Sequence, residues 1–547
     1  MSMVDQVSNI VEGLEASSRF APQLVETIYL PPTPERFGVL EPPLPEELGR
    51  SLAAVGVSRL WTHQADGLTA LRRGENVLIT TPTASGKSLV FQLPVLEEAL
   101  AGGPGRALFL YPLKALGRDQ LGKLEMMAST AGLQLPSVSD GAIVDAGPAK
   151  MPLAAVYDGD TDPKQRAEIK ETFPRVVISN PDMLHLGILA SWRGWSPFLR
   201  DLKWIVLDEL HTYRGIFGSH FHHVLQRLVR LCRTEGSEPR LIASSATAAN
   251  AGEFAGSLAG RGFHWVRDSG SPQQGRHFLL FRAATSPYTL SLDLLIEFLK
   301  KGLKTIVFTK ARRITELLYS WLRQQEPTLA AKVASYRSGF LPGERRKIER
   351  DLFDGRLNGV ISTSALEMGI DVGGLDACIL VGFPGSVMAT WQRSGRVGRS
   401  GRESITAMVA LPDALDQYLL QHPLELIERP YERLIVDPSN EPVSQAHLVC
   451  AASELSLHRD RDAAYLEAHA PVVGDLLRRG SLIESAETGE IGTRRKRPQR
   501  EVGLRGAGES TAILESPSGR LIGTVDGARV LRECHPGAVY LHAGQQF

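Results

Sequence analysis

Short, uninterrupted apolar runs recur along the chain, each followed by a polar stretch of helix-like spacing. The first series reads Val77-Leu78-Ile79, Ala107-Leu108-Phe109-Leu110, Val176-Val177-Ile178, Trp204-Ile205-Val206-Leu207 and Leu241-Ile242-Ala243. Runs without polar alternation predict strands buried on both faces, and the helical stretches between them predict a covered parallel sheet. The pattern pauses at Asp268-Ser269-Gly270-Ser271-Pro272-Gln273-Gln274-Gly275, which reads as an interdomain linker. It restarts with Thr305-Ile306-Val307-Phe308, Gly359-Val360-Ile361-Ser362 and Ala377-Cys378-Ile379-Leu380-Val381. Two α/β units in tandem are therefore expected, with no sequence repeat between them.

The ends depart from this alternation. Residues 1–50 open with a short amphipathic stretch and continue through Pro31, Pro32, Pro34, Pro42, Pro43 and Pro45, a composition that predicts an extended arm lying over another domain. Beyond about residue 425 the strand–helix rhythm fades. The expected division is an arm (1–50), a first unit (51–267), a linker (268–275) and a second unit (276–425). A mixed helical region (426–490) and a β-rich, Gly-rich end (491–547), carrying the basic run Arg494 to Arg497, follow.

Composition narrows the function classes. At 547 residues the chain needs several domains. Lys+Arg and Asp+Glu balance at 61 each, which excludes a uniformly basic coat, so a polyanion must be met by local patches or by neutral donors. No apolar run reaches membrane-spanning length and the start lacks a secretory pattern. The cysteines Cys232, Cys378, Cys450 and Cys534 form no Cys-x-x-Cys pair and read as reduced thiols of a cytoplasmic protein.

Chemistry enters at the strand ends. Thr81-Pro82-Thr83-Ala84-Ser85-Gly86-Lys87-Ser88 lies between a predicted strand and a predicted helix and has the Gly-Lys-Ser ending of a phosphate loop, although Thr81 stands where the usual first glycine would be. The small residues Thr83, Ala84, Ser85 and Gly86 let backbone N–H groups approach phosphates; Lys87 neutralises them and the Ser88 hydroxyl holds Mg²⁺. Asp208-Glu209-Leu210-His211 ends the Trp204 strand, where open α/β sheets bind ligands. Asp208 is the expected metal partner, through water, and Glu209 the base that orients and deprotonates the attacking water. Gln64 is placed to read an adenine edge, and His211 to link the nucleotide to neighbouring loops. Ser245-Ala246-Thr247 follows the next strand, and Gln392-Arg393-Ser394-Gly395-Arg396-Val397-Gly398-Arg399 closes the second unit. Arg396 and Arg399, three apart between glycines, can reach one phosphate cluster from across a cleft, whereas Arg393 and Arg402 are expected at the surface or facing nucleic acid. Asp371 could accept from ribose hydroxyls. Two halves of one ATP site on two units mean a cleft that hydrolysis opens and closes.

These motifs resemble superfamily 2 helicases of the Asp-Glu-x-His type, and more closely the mitomycin repair factor A group of DNA helicases. Tyr111 to Leu116, Tyr157 to Thr161, Ser179 to His185, Tyr213 to His220, Ser364 to Asp371 and His535 to Tyr540 carry that closer resemblance. It implies two RecA-like domains, Mg²⁺-ATP, 3′→5′ translocation on single-stranded or 3′-tailed DNA, a role in repair and often a winged helix after the second motor domain. By family position, Lys114, Thr161, Asn180 and Thr363 would contact the DNA backbone. The basic helix carrying Arg345, Arg346, Lys347 and Arg350 is either a further contact or a solvated face. The group usually continues into a cysteine-rich zinc module; no cysteine cluster occurs here, and the end is expected to be truncated. An RNA helicase of the same superfamily, and a nucleic-acid clamp without productive unwinding, stand as alternatives.

Overall fold

Strand β1 (Leu24–Leu30) comes first in the chain but belongs to the second of two large sheets. The first sheet is built from β2 (Val77–Ile79) and β3 (Arg106–Leu110), then, after a small hairpin of β4 (Val138–Ser139) and β5 (Ala142–Ile143), from β6 (Ala154–Val156), β7 (Val176–Ser179), β8 (Leu202–Leu207), β9 (Arg240–Ser244) and β10 (His264–Val266). Its order is β10-β2-β9-β8-β3-β7-β6 and every neighbouring pair is parallel. The continuous apolar runs are explained by two cores. Leu78, Leu108, Leu110, Val177, Ile205 and Leu207 face one hydrophobic cluster, while Val77, Ile79, Phe109, Val176, Trp204 and Val206 face the other. Side chains of period two thus find helices on both faces.

The computed structural model describes residues 4–133, 138–139, 142–143, 153–337, 339–367, 373–398, 401–505 and short segments between 510 and 546. The second sheet comprises β11 (Arg276–Arg282), β12 (Thr305–Phe308), β13 (Val333–Tyr336), β14 (Gly359–Ser362), β15 (Ala377–Val381) and β16 (Ser404–Ala410). Its order is β1-β11-β16-β15-β12-β14-β13, parallel except for β1, which runs antiparallel to β11 with Ile28 opposite Phe278.

Residues 1–50, expected as one extended arm, divide in the structure. The helix Val4–Glu15 places Val7, Ile10, Val11 and Leu14 in the core of the second unit, and β1 extends that unit's sheet. The proline-rich stretch after β1 then crosses to the first unit, where the Arg36 carbonyl accepts from the Thr62 N–H at 3.0 Å and the Gly38 N–H donates to the Leu60 carbonyl at 2.9 Å. Among the described residues the chain passes between the units three times: after β1, between β10 and β11, and after the short helix Glu425–Glu428.

The C-terminal region packs the helices Glu441–Glu454, Ala463–Ala468 and Ala470–Arg478 against a three-stranded antiparallel sheet around Leu448, Leu457, Leu476 and Ile491. It is fastened to the first unit by a buried ionic network. Arg227, on the helix Gly215–Thr234, is bidentate to Glu454, and its Nη1 donates to Nδ1 of His185 at 3.0 Å and of His447 at 2.9 Å. Gln499 donates to the same carboxylate at 3.0 Å, and Arg230 pairs with Asp462 at 2.6 Å. Burial pushes His185 down to about 3, with the Arg227 charge acting in the same sense, so its ring is neutral and accepts. Removing one partner from such a pair strands a charge in low dielectric. Glu454→Ala is expected to destabilise the protein by about 3–5 kcal/mol in urea melts, and an effect below about 1 kcal/mol would show that the network is not needed to join the two parts.

Candidate active site

The phosphate loop lies between β2 and the helix Ser88–Leu100, at the carboxyl end of the first sheet. Its path needs left-handed backbone at Ala84 (φ 63°) and Gly86 (φ 71°). At Gly86 a side chain is also excluded by space, because a Cβ would lie 2.7 Å from the Gln64 amide nitrogen and 3.1 Å from the Trp61 ring. Thr81, where a glycine was the ordinary expectation, is buried and its hydroxyl meets that of Ser85 at 2.6 Å, closing the loop from inside. Lys87 Nζ turns back onto the Thr81 and Pro82 carbonyls at 2.7 and 3.2 Å.

Two side chains hold the loop from behind. Gln64 donates to the Gly86 carbonyl at 3.1 Å and accepts from the Trp61 N–H at 2.9 Å, so its amide joins the loop to the start of the helix Thr62–Arg72. His63 accepts from the Gly270 N–H at 3.2 Å, so its other nitrogen carries the proton and donates to the Ser85 carbonyl at 2.8 Å. Burial holds this imidazole down at about 4. The sequence signal at this position pointed to Gln64 alone, and nothing in the spacing marks His63 as the tie between loop and linker.

Asp208 and Glu209 follow β8. Asp208 accepts from the Ser244 hydroxyl, and its backbone N–H donates to the Leu110 carbonyl at 3.1 Å. Burial, reinforced by the Glu209 charge, pushes the Asp208 carboxyl up to about 6. Glu209 adopts φ 51°, an uncommon conformation for a residue with a Cβ, which turns it away from the strand direction. Two adjacent, partly exposed carboxyl groups, with the anionic form of Asp208 disfavoured beside the Glu209 charge, fit a divalent cation. Among the described residues no cluster of three or more His, Cys, Asp or Glu side chains could hold a metal by itself.

This carboxyl gives a pH prediction. With the Asp208 pKa raised, the proton competes with the cation as pH falls through about 6. Mg²⁺ affinity, titrated by fluorescent ATP-analogue binding, is expected to be flat above pH 7 and to fall about tenfold per pH unit below the break. Glu209→Gln removes the neighbouring charge and should move the break to lower pH. Affinity indifferent to pH between 5 and 8 would remove Asp208 from the metal site.

Across the cleft stands the helix Val387–Ser394 of the second unit. His211 spans the gap: its Nδ1 accepts from the Ala246 N–H at 3.2 Å and its Nε2 lies 2.7 Å from the Gln392 amide. The Gln392 atom that faces Nε2 is its side-chain amide nitrogen. Burial, followed by the charges of Lys87 and Arg214, keeps His211 down at about 3, so the bridge is neutral at working pH. One side chain therefore connects the acidic motif, the Ser245-Ala246-Thr247 turn and the second unit. Gly395 abuts the phosphate loop so closely that a Cβ there would lie 2.2 Å from the Thr83 hydroxyl. Arg396, next in sequence, is 2% exposed.

Arg393 differs from expectation. It is 7% exposed, pairs with Glu367 at 2.8 Å and lies over the Phe308 ring, so it braces the helix instead of facing solvent or nucleic acid. The acidic partner, Glu367, is what permits its burial. Asp371 and Arg399 lie outside the described residues.

The four candidate DNA contacts all follow strand ends. Lys114 follows β3, Thr161 β6, Asn180 β7 and Thr363 β14, and β3, β7 and β6 are neighbours in the first sheet. Lys114 donates to Asp160 at 2.6 Å, and Arg118 approaches the same carboxylate at 3.4 Å. The Lys114 hydrogen bond, then the charges of Lys114, Arg118 and Arg345, hold Asp160 below its ordinary range. Arg345 belongs to the second unit, so cations from both units converge here. Thr161 and Asn180 also shape their own turns, accepting from the Asp158 and Met183 N–H groups at 2.9 and 3.0 Å. Arg505, from the C-terminal region, reaches Asp182 at 2.9 Å and the Pro112 carbonyl at 2.8 Å, and stacks over Phe217. No sequence motif marked it.

The DEAD/DEAH box helicase family model matches residues 61–254, the helicase conserved C-terminal domain matches 290–401, and the winged helix domain of ATP-dependent helicase HRQ1 matches 436–507. The chain is 36% identical to the uncharacterized ATP-dependent helicase YprA of Bacillus subtilis, over 92% of this chain and 67% of that one. It is 32% identical to the ATP-dependent helicase HRQ1 of Saccharomyces cerevisiae, over 100% of this chain and 51% of that one. The chain thus spans about two thirds and about half of these relatives. The crystal structure of the DUF1998 helicase MrfA bound to DNA and AMPPNP superposes with a TM-score of 0.90, at 34% identity, covering 98% of this chain and 74% of that one. With its phosphate loop, acidic motif and arginine helix set around one cleft, the chain belongs to the superfamily 2 helicases of the DExH type, in the mitomycin repair factor A-like group.

Proposed function

We propose that the chain is an ATP- and Mg²⁺-dependent motor that moves 3′→5′ on single-stranded DNA, unwinds duplex beside a 3′ tail and serves DNA repair. The observation that carries this reading is the His211 bridge, which makes the ATP cleft a joint between two units. Lys87 exchanges its loop carbonyls for the β/γ-phosphates, and backbone N–H groups of residues 83–88 surround them. The Ser88 hydroxyl and, through water, Asp208 would hold Mg²⁺, which would supply countercharge to the phosphates. Glu209 orients the attacking water and takes its proton, while Arg396 and Arg399 meet the charge that develops on the transferred group. Gln64 and Asp371 would bind adenine and ribose. Lys114, Thr161, Asn180 and Thr363 hold one DNA strand by its backbone, with phosphate replacing the Asp160 carboxylate on Lys114, so no base sequence is read.

Strand displacement on duplexes with a 3′ tail, a 5′ tail or an RNA loading strand tests the proposal. Unwinding is expected with the 3′ DNA tail only. Equal activity on RNA tails would favour the RNA reading, and tight binding without displacement on any substrate would favour a clamp.

A further inference from the structure

The third crossing between the units, residues 429–437, touches both sides of the ATP seam. Glu432 accepts the backbone N–H groups of Val387 at 2.6 Å and Met388 at 3.1 Å, at the start of the helix that carries Gln392 and leads into Arg396. Two residues later, Leu434 is buried in the core of the first unit, and its backbone N–H and C=O are both bonded by the Asn250 side chain, at 2.8 and 2.9 Å. Tyr431 packs against the same core. Met388, though part of the second unit, is buried in that core too. Gly215, at the start of the long helix of the first unit, donates to the Ile435 carbonyl at 2.8 Å.

The geometry points to Glu432 as a positioning residue for ATP turnover: it fastens the arginine helix to a strap anchored on the first unit, and so sets where Gln392 and Arg396 stand in the cleft. This rests on the ATPase reading above. The carboxylate satisfies two N–H groups that a helix leaves orphaned at its start, and its charge is favourable at that end. Because Leu434 and Asn250 fix the next turn of strap, the attachment defines a position in the first unit's frame. An ordinary cap would stabilise the helix without choosing its place.

The test uses the full chain with Glu432→Ala, Glu432→Gln and, as a strap control, Arg433→Ala, whose partner Glu253 is exposed. Glu432→Ala is expected to lower kcat for ATP about 10- to 100-fold, with KM for ATP and the melting temperature nearly unchanged. Glu432→Gln, which keeps one acceptor, should fall between, and Arg433→Ala should match the wild type. An unchanged kcat, or a fall matched by a loss of melting temperature, overturns the proposal. Hydrogen exchange of the nucleotide-free protein reads the same point without turnover, so an inactive wild type would refute the ATPase reading alone. Faster exchange in Glu432→Ala both at 387–396 and across the seam at 245–250 supports the strap; a change confined to the helix start overturns it.

Discussion

Replacing Lys87 by alanine is expected to lower ATP turnover about 10²- to 10³-fold, with or without DNA, while leaving the fold intact. The structure says why the two effects separate. Without nucleotide the ammonium is half-buried and rests on the carbonyls of Thr81 and Pro82, contacts that solvent can replace. Its charge also favours the ionised form of Asp208, and without it that carboxyl takes up a proton more readily and is not left as an uncompensated anion, so the melting temperature should move little. With ATP bound, the same amine is expected to face the phosphates, where a fixed positive charge in a partly dry site contributes several kcal/mol to the transition state. Steady-state turnover with no nucleic acid, single-stranded DNA, duplex and RNA, beside a thermal melt, checks both halves. A variant that retains most of the DNA-stimulated rate would remove the phosphate loop from the chemistry.

Arg396→Ala should cost more, about 10³- to 10⁵-fold in kcat, with KM for ATP changed far less. The side chain comes from the second unit and can reach the phosphates only when the seam is closed, so it acts late and contributes little to ground-state binding. Arg396→Lys is the informative companion. Lysine keeps the charge but lacks the planar fork, and at this 2% exposed site it should recover less than a tenth of the lost rate. Substantial recovery would mean that a point charge suffices and that the fork geometry is idle. A fall in melting temperature equal to that of Glu454→Ala would identify Arg396 as a packing residue.

The motor was legible in the sequence because its parts are local. A phosphate loop, an acidic pair at a strand end and an arginine run each declare themselves within eight residues, and strands buried on both faces must be apolar throughout. What escaped depends on distant partners. β16 is fully buried, yet Ser404 and Thr406 interrupt its apolar run, and β11 begins directly after what reads as linker. Glu432 is one acid among many until the fold sets it under the helix at Val387. Arg393 looked like a surface cation because its partner, Glu367, lies in another motif. Arg227 and Glu454, fully buried and opposite in charge, are separated by the whole second unit. The arm misled for the same reason: the amphipathic spacing of Val7, Ile10, Val11 and Leu14 is visible, but the surface it covers is encoded far downstream.

That placement of β1 has a consequence for synthesis. The amphipathic helix and the edge strand β1 are made before the first unit, whereas β11, with which β1 pairs, and β16 beyond it are made after that unit. At about 5–20 residues per second the first unit has on the order of 10–50 s to collapse before Arg276–Arg282 emerges. Throughout that interval the nascent chain carries an unpaired strand and an uncovered apolar helix face, the features that recruit chaperones or wrong partners. Completion of the second unit is then the event that retires this hazard, tying the quality of the finished motor to the pace of its translation.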